Sequence, residues 1–364
     1  MIPPETKLSP NALAVLMVGF LYGSTLILNP GGGAGHDAWI AVLLGMGEGL
    51  LIATAFVLLS SRFQGQTLVE ICRSVYGPVL GNILSALFIW YLFHLGSLVL
   101  NNFSRFFALI MPETPKLALI LPIMLVCVSA VKKGAETLTR CAQIFVPLTT
   151  VLIIFSTMML INKINLQNLA PVMEVPGKKL FWAAHGAATF PFAETVAFLM
   201  LLQALEKGAK PFTLVLKAFI FATLFLILIV IFNTGVLGAT AEAFLYPSFE
   251  AARNINIGNT LNRVDIIVAI NFLTMGFLKI SVLLYGSALG TAQLFRFRSH
   301  RPLVFPLGIL MILLEILDYQ NTPQMVEFAQ KYYPIYALPF QLGIPLLTLI
   351  MAFLRGLPRK GRER

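Results

Sequence analysis

"HGAATFPFAETVAF", His185 to Phe198, lies inside a stretch otherwise apolar enough to span a bilayer. It carries Gly186, Pro191 and Glu194, none of which suits a continuous membrane helix. Proline removes a backbone N–H and collides with the preceding turn, so a helix through residue 191 must bend or break. A carboxylate at that depth is costly unless it faces a partner, a cavity or the bundle interior. Non-helical backbone inside a membrane survives only where protein buries it or water reaches it. The stretch therefore predicts a broken helix with a polar site beside it.

The rest of the chain supplies the membrane. Its 364 residues are 58% hydrophobic and only 12% charged, with mean hydropathy +0.84. Soluble domains are about half apolar and about a quarter charged, so the chain reads as an all-α polytopic membrane protein. Apolar runs of about 20 residues predict ten spans, at 9–30, 37–60, 80–111, 115–131, 139–161, 180–204, 211–238, 265–292, 302–318 and 332–354. The N-terminal "MIPPETKLSP" has no cleavable signal, and the first run is expected to be retained. Residues 1–364 are expected to form one integral membrane domain, with 355–364 as a basic cytoplasmic tail.

The net charge of +10 is scattered through short loops. Sixteen Lys and Arg fall on the side of both termini and seven on the other, which places both termini in the cytoplasm by the positive-inside rule. Nucleic acid is not an expected partner, because no zinc spacing or RNA-binding signature accompanies the charge. Cys72, Cys127 and Cys141 share no CxxC spacing, so neither a disulfide framework nor a metal site is expected, and no cofactor. No HExxH or GxSxG stretch points to an enzyme. Residues 63–78 read as a short amphipathic surface helix, and 239–264 as a long outer loop containing a short helix. "GGGAGHD" (Gly31–Asp37) reads as a flexible outer turn.

A second interruption occurs in the first span, "NALAVLMVGFLYGSTLILNP", where Gly19 and Gly23 precede Ser24 and Thr25. Taken alone these glycines fit ordinary close packing. Interruptions in the first and sixth of ten spans, however, fit a five-plus-five inverted repeat. Repeat one would cover about 9–161 and repeat two about 180–354.

"YGSTLI" (Tyr22–Ile27) resembles the first-helix break of the amino acid–polyamine–organocation superfamily, and "FPFAE" (Phe190–Glu194) its sixth-helix motif. FPFAET followed by "AFLMLL", the ten-span length and the basic tail are similar to the B subunit of spore germinant receptors, over essentially the whole chain. Ala193 departs from the glycine that relatives often carry there. The resemblance implies a LeuT-type fold in the inner spore membrane, recognition of a small nutrient such as an amino acid, and partner receptor subunits. A stand-alone proton-coupled amino acid permease is the alternative it leaves open.

Within that fold, Gly23, Ser24 and Thr25 are expected to cradle a ligand carboxylate at a half-helix N-terminus. Carbonyls from Gly186 to Thr189 would accept its ammonium, with Phe190 and Phe192 along its side chain. His94 lies in the span that lines the cavity of the resembling fold, although a histidine simply bonded within the bundle also fits. Glu194 directly follows the break and is expected to act as a sensor whose protonation biases the sixth helix, against a permanently paired structural acid. Glu48, in "LLGMGEGLLIA", is either structural or ion-coupling; no strand precedes its glycines, so they are no dinucleotide fingerprint. Arg105 either pairs with an acid as a gate or snorkels. Lys279, near the middle of the eighth span, must face the interior. It is expected to donate to carbonyls around Gly19–Gly23 in place of a sodium ion, with Ser281 nearby; a salt bridge to Glu48 or Glu194 is the competing account.

Overall fold

The computed structural model describes residues 7–206, 208–253 and 265–358. Lys207, the end of the expected outer loop (254–264) and the end of the basic tail (359–364) lie outside the described residues. Among the described residues no strand forms, and an isolated bridge joins Leu8 to Leu205. Ten membrane-crossing segments follow one another in the expected order. They are Pro10–Leu26, Ala38–Arg62, Pro78–Ile110, Lys116–Lys132, Ala135–Leu160, a broken sixth segment opening at Gly177–Ala187, Pro211–Leu237, Asp265–Leu294, Arg301–Asp318 and Thr322–Leu354. Outward leucines such as Leu51 and Leu317 are exposed, as a lipid-facing surface requires.

The chain is a LeuT-type five-plus-five inverted repeat, with its first and sixth helices broken. The first helix starts at Ser9, whose side chain accepts the Ala12 N–H, with Pro10 in the first turn. It stops at Gly23, where φ 17° and ψ −117° leave the helical region, and continues as the 3-10 turn Gly23–Leu26.

The second span seats the sixth. Gly45 and Gly49 are four apart and so lie on one face. A Cβ on Gly45 would meet the Ala184 carbonyl oxygen at 2.8 Å, and one on Gly49 would meet Phe192 Cβ at 2.4 Å. Small residues at this spacing let two backbones approach closely. Gly47, on the opposite face, has nothing within 4 Å of its would-be Cβ. The "GMGEG" run is thus a packing face turned toward the break.

Two boundaries differ from expectation. The tenth segment starts at Thr322 rather than 332, capped by Asn321, whose side chain accepts the Gln324 N–H at 2.9 Å. Its internal prolines are accommodated by π turns at Phe328–Tyr332 and Pro339–Gly343, which absorb the missing bonds at Pro334 and Pro339. "GGGAGHD" is also more ordered than a flexible turn. It forms the 3-10 turn Gly32–Asp37, and the buried Asp37 carboxylate accepts the Met173 and Val175 N–H groups at 2.8 and 3.3 Å.

The surface helix Leu68–Tyr76 opens with a capping box between Thr67 and Glu70. Its buried face (Leu68, Val69, Ile71, Cys72, Val75) lies against the bundle, and burial pushes the Cys72 thiol up to about 12. Arg73 donates to the Gln293 and Leu294 carbonyls at 2.9 and 2.8 Å, satisfying the C-terminal end of the eighth span. The loop after the seventh span holds the helix Pro247–Arg253.

The Gly49 contact sets a testable asymmetry. Gly49→Val should lower stability by about 1–3 kcal/mol through overpacking, whereas Gly47→Val, two residues away in open space, should be near neutral. Thermal unfolding of the two detergent-solubilised variants checks this; equal losses would disprove the packing account.

Candidate functional site

At the first-helix break the Gly23 N–H still bonds the Gly19 carbonyl. Thr25 Oγ1 turns back to the Leu21 and Tyr22 carbonyls, both at 2.7 Å. The Ser24 hydroxyl, by contrast, is buried and has no hydrogen-bond partner among the described residues. Of the three residues expected to cradle a carboxylate, Gly23 and Thr25 are therefore engaged with the helix itself, and Ser24 alone presents a free donor.

The sixth helix opens over Ala188–Phe192, where Phe190 takes φ −137° and ψ 107° and Pro191 follows. Thr189 Oγ1 donates to the His185 and Gly186 carbonyls at 3.0 and 3.1 Å. The Thr189 carbonyl, released from the helix, accepts Gln341 Nε2 at 2.8 Å. Phe190 turns inward; Phe192 turns the other way, onto Gly49 and the Phe219 ring at 5.1 Å. Phe192 thus packs the scaffold rather than the space between the breaks.

Between the two breaks lies an ion pair. Lys279 Nζ bonds the Glu194 carboxylate, and both side chains are fully buried. The ammonium also sits 4.9 Å from the ring centres of Phe20 and Phe190, on the first and sixth helices. Tyr333 donates to the second Glu194 oxygen at 2.5 Å, and its hydroxyl lies 3.3 Å from that of Tyr91. Gln341 Nε2 reaches Tyr91 at 2.8 Å as well as the Thr189 carbonyl. One buried network therefore ties the third, sixth, eighth and tenth spans together.

The expected donation from Lys279 to carbonyls around Gly19–Gly23 is not what the structure shows; the bond goes to Glu194. A carboxylate outcompetes neutral carbonyls for a buried ammonium. The lysine stem nonetheless crosses the first break, since a Cβ on Gly23 would lie 2.4 Å from Lys279 Cδ. Ser281 Oγ is buried beside the Cys127 thiol. Glu48 does not join the pair. It meets His185 Nδ1 at 2.6 Å and braces the second span against the sixth.

His94 also stands apart from the breaks. Its Nδ1 is 2.8 Å from the Tyr336 hydroxyl and its Nε2 is 3.5 Å from Asp318, on the wall of a separate cleft. Among the described residues Arg105 pairs with no acid; it donates to Asn101, Thr322 and the Tyr319 carbonyl, holding the turn between the ninth and tenth spans. Sequence reasoning missed Tyr91, Tyr333 and Gln341. The usable signal was a polar atom at mid-span on otherwise apolar helices.

Architecture and network together define a membrane protein of the LeuT-type transporter fold. The solved structures it resembles include a nucleobase-cation-symport-1 family transporter, Mhp1, closed with bromovinylhydantoin bound. That match has TM-score 0.74 and 12% identity, and covers 97% of this chain and 81% of Mhp1. MhsT in complex with L-phenylalanine matches with TM-score 0.67 and 14% identity, over 97% of this chain and 99% of MhsT. Residues 7–323 match the family described as spore germination protein, and the chain belongs to that family. Among its relatives, spore germination protein KB of Bacillus subtilis (strain 168) is 27% identical over 99% of this chain and 97% of its own length. Putative spore germination protein YfkT of the same organism is 27% identical over 94% and 93%.

The ion pair predicts a non-additive response. Lys279→Met strands a buried carboxylate and should cost about 3–5 kcal/mol. Adding Glu194→Gln should recover most of that loss. Thermal melts of the solubilised single and double variants measure it; a double variant no more stable than Lys279→Met would rule out the pairing.

Proposed function

We propose that the chain is the nutrient-recognising membrane subunit of a spore germinant receptor, and that it takes a small amino acid between the breaks of its first and sixth helices. The observation that carries the reading is the Ser24 hydroxyl, buried at the first break with no acceptor among the described residues. A buried donor left unpaired is expensive, and a ligand carboxylate satisfies it. The same space holds one cation and one anion, Lys279 and Glu194. A zwitterion can meet both, its carboxylate toward Ser24 and Lys279 and its ammonium toward Glu194 and the carbonyls near Gly186. Phe190 borders the ligand side chain. Glu194 serves as the sensor, since any change in its charge alters its hold on both Lys279 and Tyr333. The family and the relatives' names support the germination role, and MhsT shows this fold holding an amino acid.

The proposal places the protein in the inner membrane of the spore beside other receptor subunits, with both termini cytoplasmic on the sixteen-to-seven charge asymmetry. A second reading, a proton-coupled permease acting alone, draws on the buried Lys279–Glu194 pair, which offers a site for a moving proton.

Full-length protein in liposomes tests both. Ser24→Ala should weaken binding of labelled L-amino acids by about tenfold or more, the loss of one hydrogen bond to a charged group. Its melting temperature should hold, because no protein group loses a partner. Gly23→Leu, which displaces the Lys279 stem, should abolish binding while the protein still inserts. Unaltered affinity in both would remove the site. Binding without uptake supports the receptor subunit; concentrative uptake supports the permease.

A further inference from the structure

The cleft beside His94 is separate from the helix breaks and has a chemistry of its own. It is an open cleft of about 260 Å³ on the face of the bundle opposite the N-terminus, where the ninth span ends and the tenth begins. Asp318 forms its floor, with a side chain only 4% exposed. One carboxylate oxygen accepts the Ser97 hydroxyl at 2.8 Å, and the other lies 3.5 Å from His94 Nε2. Among the described residues, His94 is the ion-pair partner of Asp318, and it is charged only when protonated. On its other side, the His94 ring meets the Tyr336 hydroxyl at 2.8 Å through Nδ1. Among the described residues, no Lys or Arg side chain lies within ion-pair distance of the Asp318 carboxylate. Glu327 at the rim is matched by Lys331 at 3.5 Å.

The walls are aromatic. Phe328 and Tyr332 line the cleft with Tyr319, whose ring centre is 5.6 Å from that of Phe328. Tyr336 packs on Phe328 at 6.1 Å. A buried carboxylate below aromatic faces attracts a cation that carries apolar substituents, by charge and by the ring quadrupoles. A hard metal ion wants several oxygen ligands, and among the described residues no three His, Cys, Asp or Glu side chains gather in metal-binding geometry.

We propose that this cleft is a second ligand site, selective for a small organic ammonium ion. The ammonium sits over Asp318, and its methyl or methylene groups lie against Phe328, Tyr319 and Tyr332. An occupant also presses on the helix that carries Tyr333, because Phe328 packs against that ring at 6.3 Å. Occupancy here therefore reports to the residue that holds Glu194.

The probe is tetramethylammonium chloride, titrated calorimetrically into purified full-length protein in nanodiscs, with sodium chloride as the matched control. The expected result is saturable binding with tetramethylammonium and none with sodium. Asp318→Asn should weaken it by about tenfold or more. Phe328→Leu keeps the charge and removes an aromatic wall; it should also weaken binding, and it decides the matter if the aspartate variant does not fold. No saturable heat beyond the sodium control overturns the proposal, as does full affinity in either folded variant. Displacement of tetramethylammonium by L-amino acids places the cation between the helix breaks instead, and overturns it equally.

Discussion

Lys279 and Glu194 are two full charges in a bundle that lipid surrounds, and much of the surrounding geometry follows from keeping them together. Desolvating both is costly, and their attraction offsets that cost only when the remaining hydrogen-bonding capacity is also met. Tyr333 takes the second carboxylate oxygen, and Phe20 and Phe190 present ring faces to the ammonium. The lysine stem reaches the carboxylate only by crossing the first helix where residue 23 has no side chain. Glu194 in turn lies at the centre because the sixth helix opens just before it. The breaks and the ion pair are therefore one arrangement: each break gives room or a free polar group that the other partner uses.

That arrangement was legible in part. The ten spans could be read because a bilayer demands long apolar runs, and the breaks because glycine, proline and charge stand out within them. Which charges pair could not be read. Glu194 and Lys279 lie 85 residues apart, and Glu48 was an equally apolar-flanked candidate until the second span proved to aim it at His185. His94 was assigned to the central cavity by analogy of fold, but its side of the third span faces the ninth and tenth. Tyr91 is three residues earlier on the same helix and does reach the central network. Residues three apart on a helix differ by about 60° in direction, enough for one helix to serve two polar clusters that sequence spacing would merge.

The rim of the bundle at the start of the fourth span uses a different device. Glu315 is buried and receives Lys116 at 2.7 Å, Ser104 at 2.6 Å and Asn101 at 3.1 Å. Arg105 holds the turn that follows. These contacts fix one end each of the third, fourth and ninth spans by polar bonds rather than apolar packing. In lipid, apolar contact between helices gains little over contact with acyl chains, so polar bonds and close packing must supply specificity. The third helix thus carries both this polar cluster and, further along, Tyr91 of the central network.

The tenth span shows how backbone irregularity serves this layout. Tyr333 and Gln341 both reach the Tyr91 hydroxyl although they are eight residues apart. On a regular α-helix, eight residues turn about 800°, leaving side chains about 80° apart, whereas seven residues return to within about 20°. The π turn at Pro339–Gly343 takes up one extra residue and brings the pair back into phase. The proline that starts this turn has no N–H to give an α-helical bond, so the wider turn costs less there than elsewhere. Pro339 is thus part of the reason Gln341 can face Tyr91 and the Thr189 carbonyl together. A tenth helix made regular by replacing that proline would rotate Gln341 away and leave the opened sixth helix with an unpaired carbonyl.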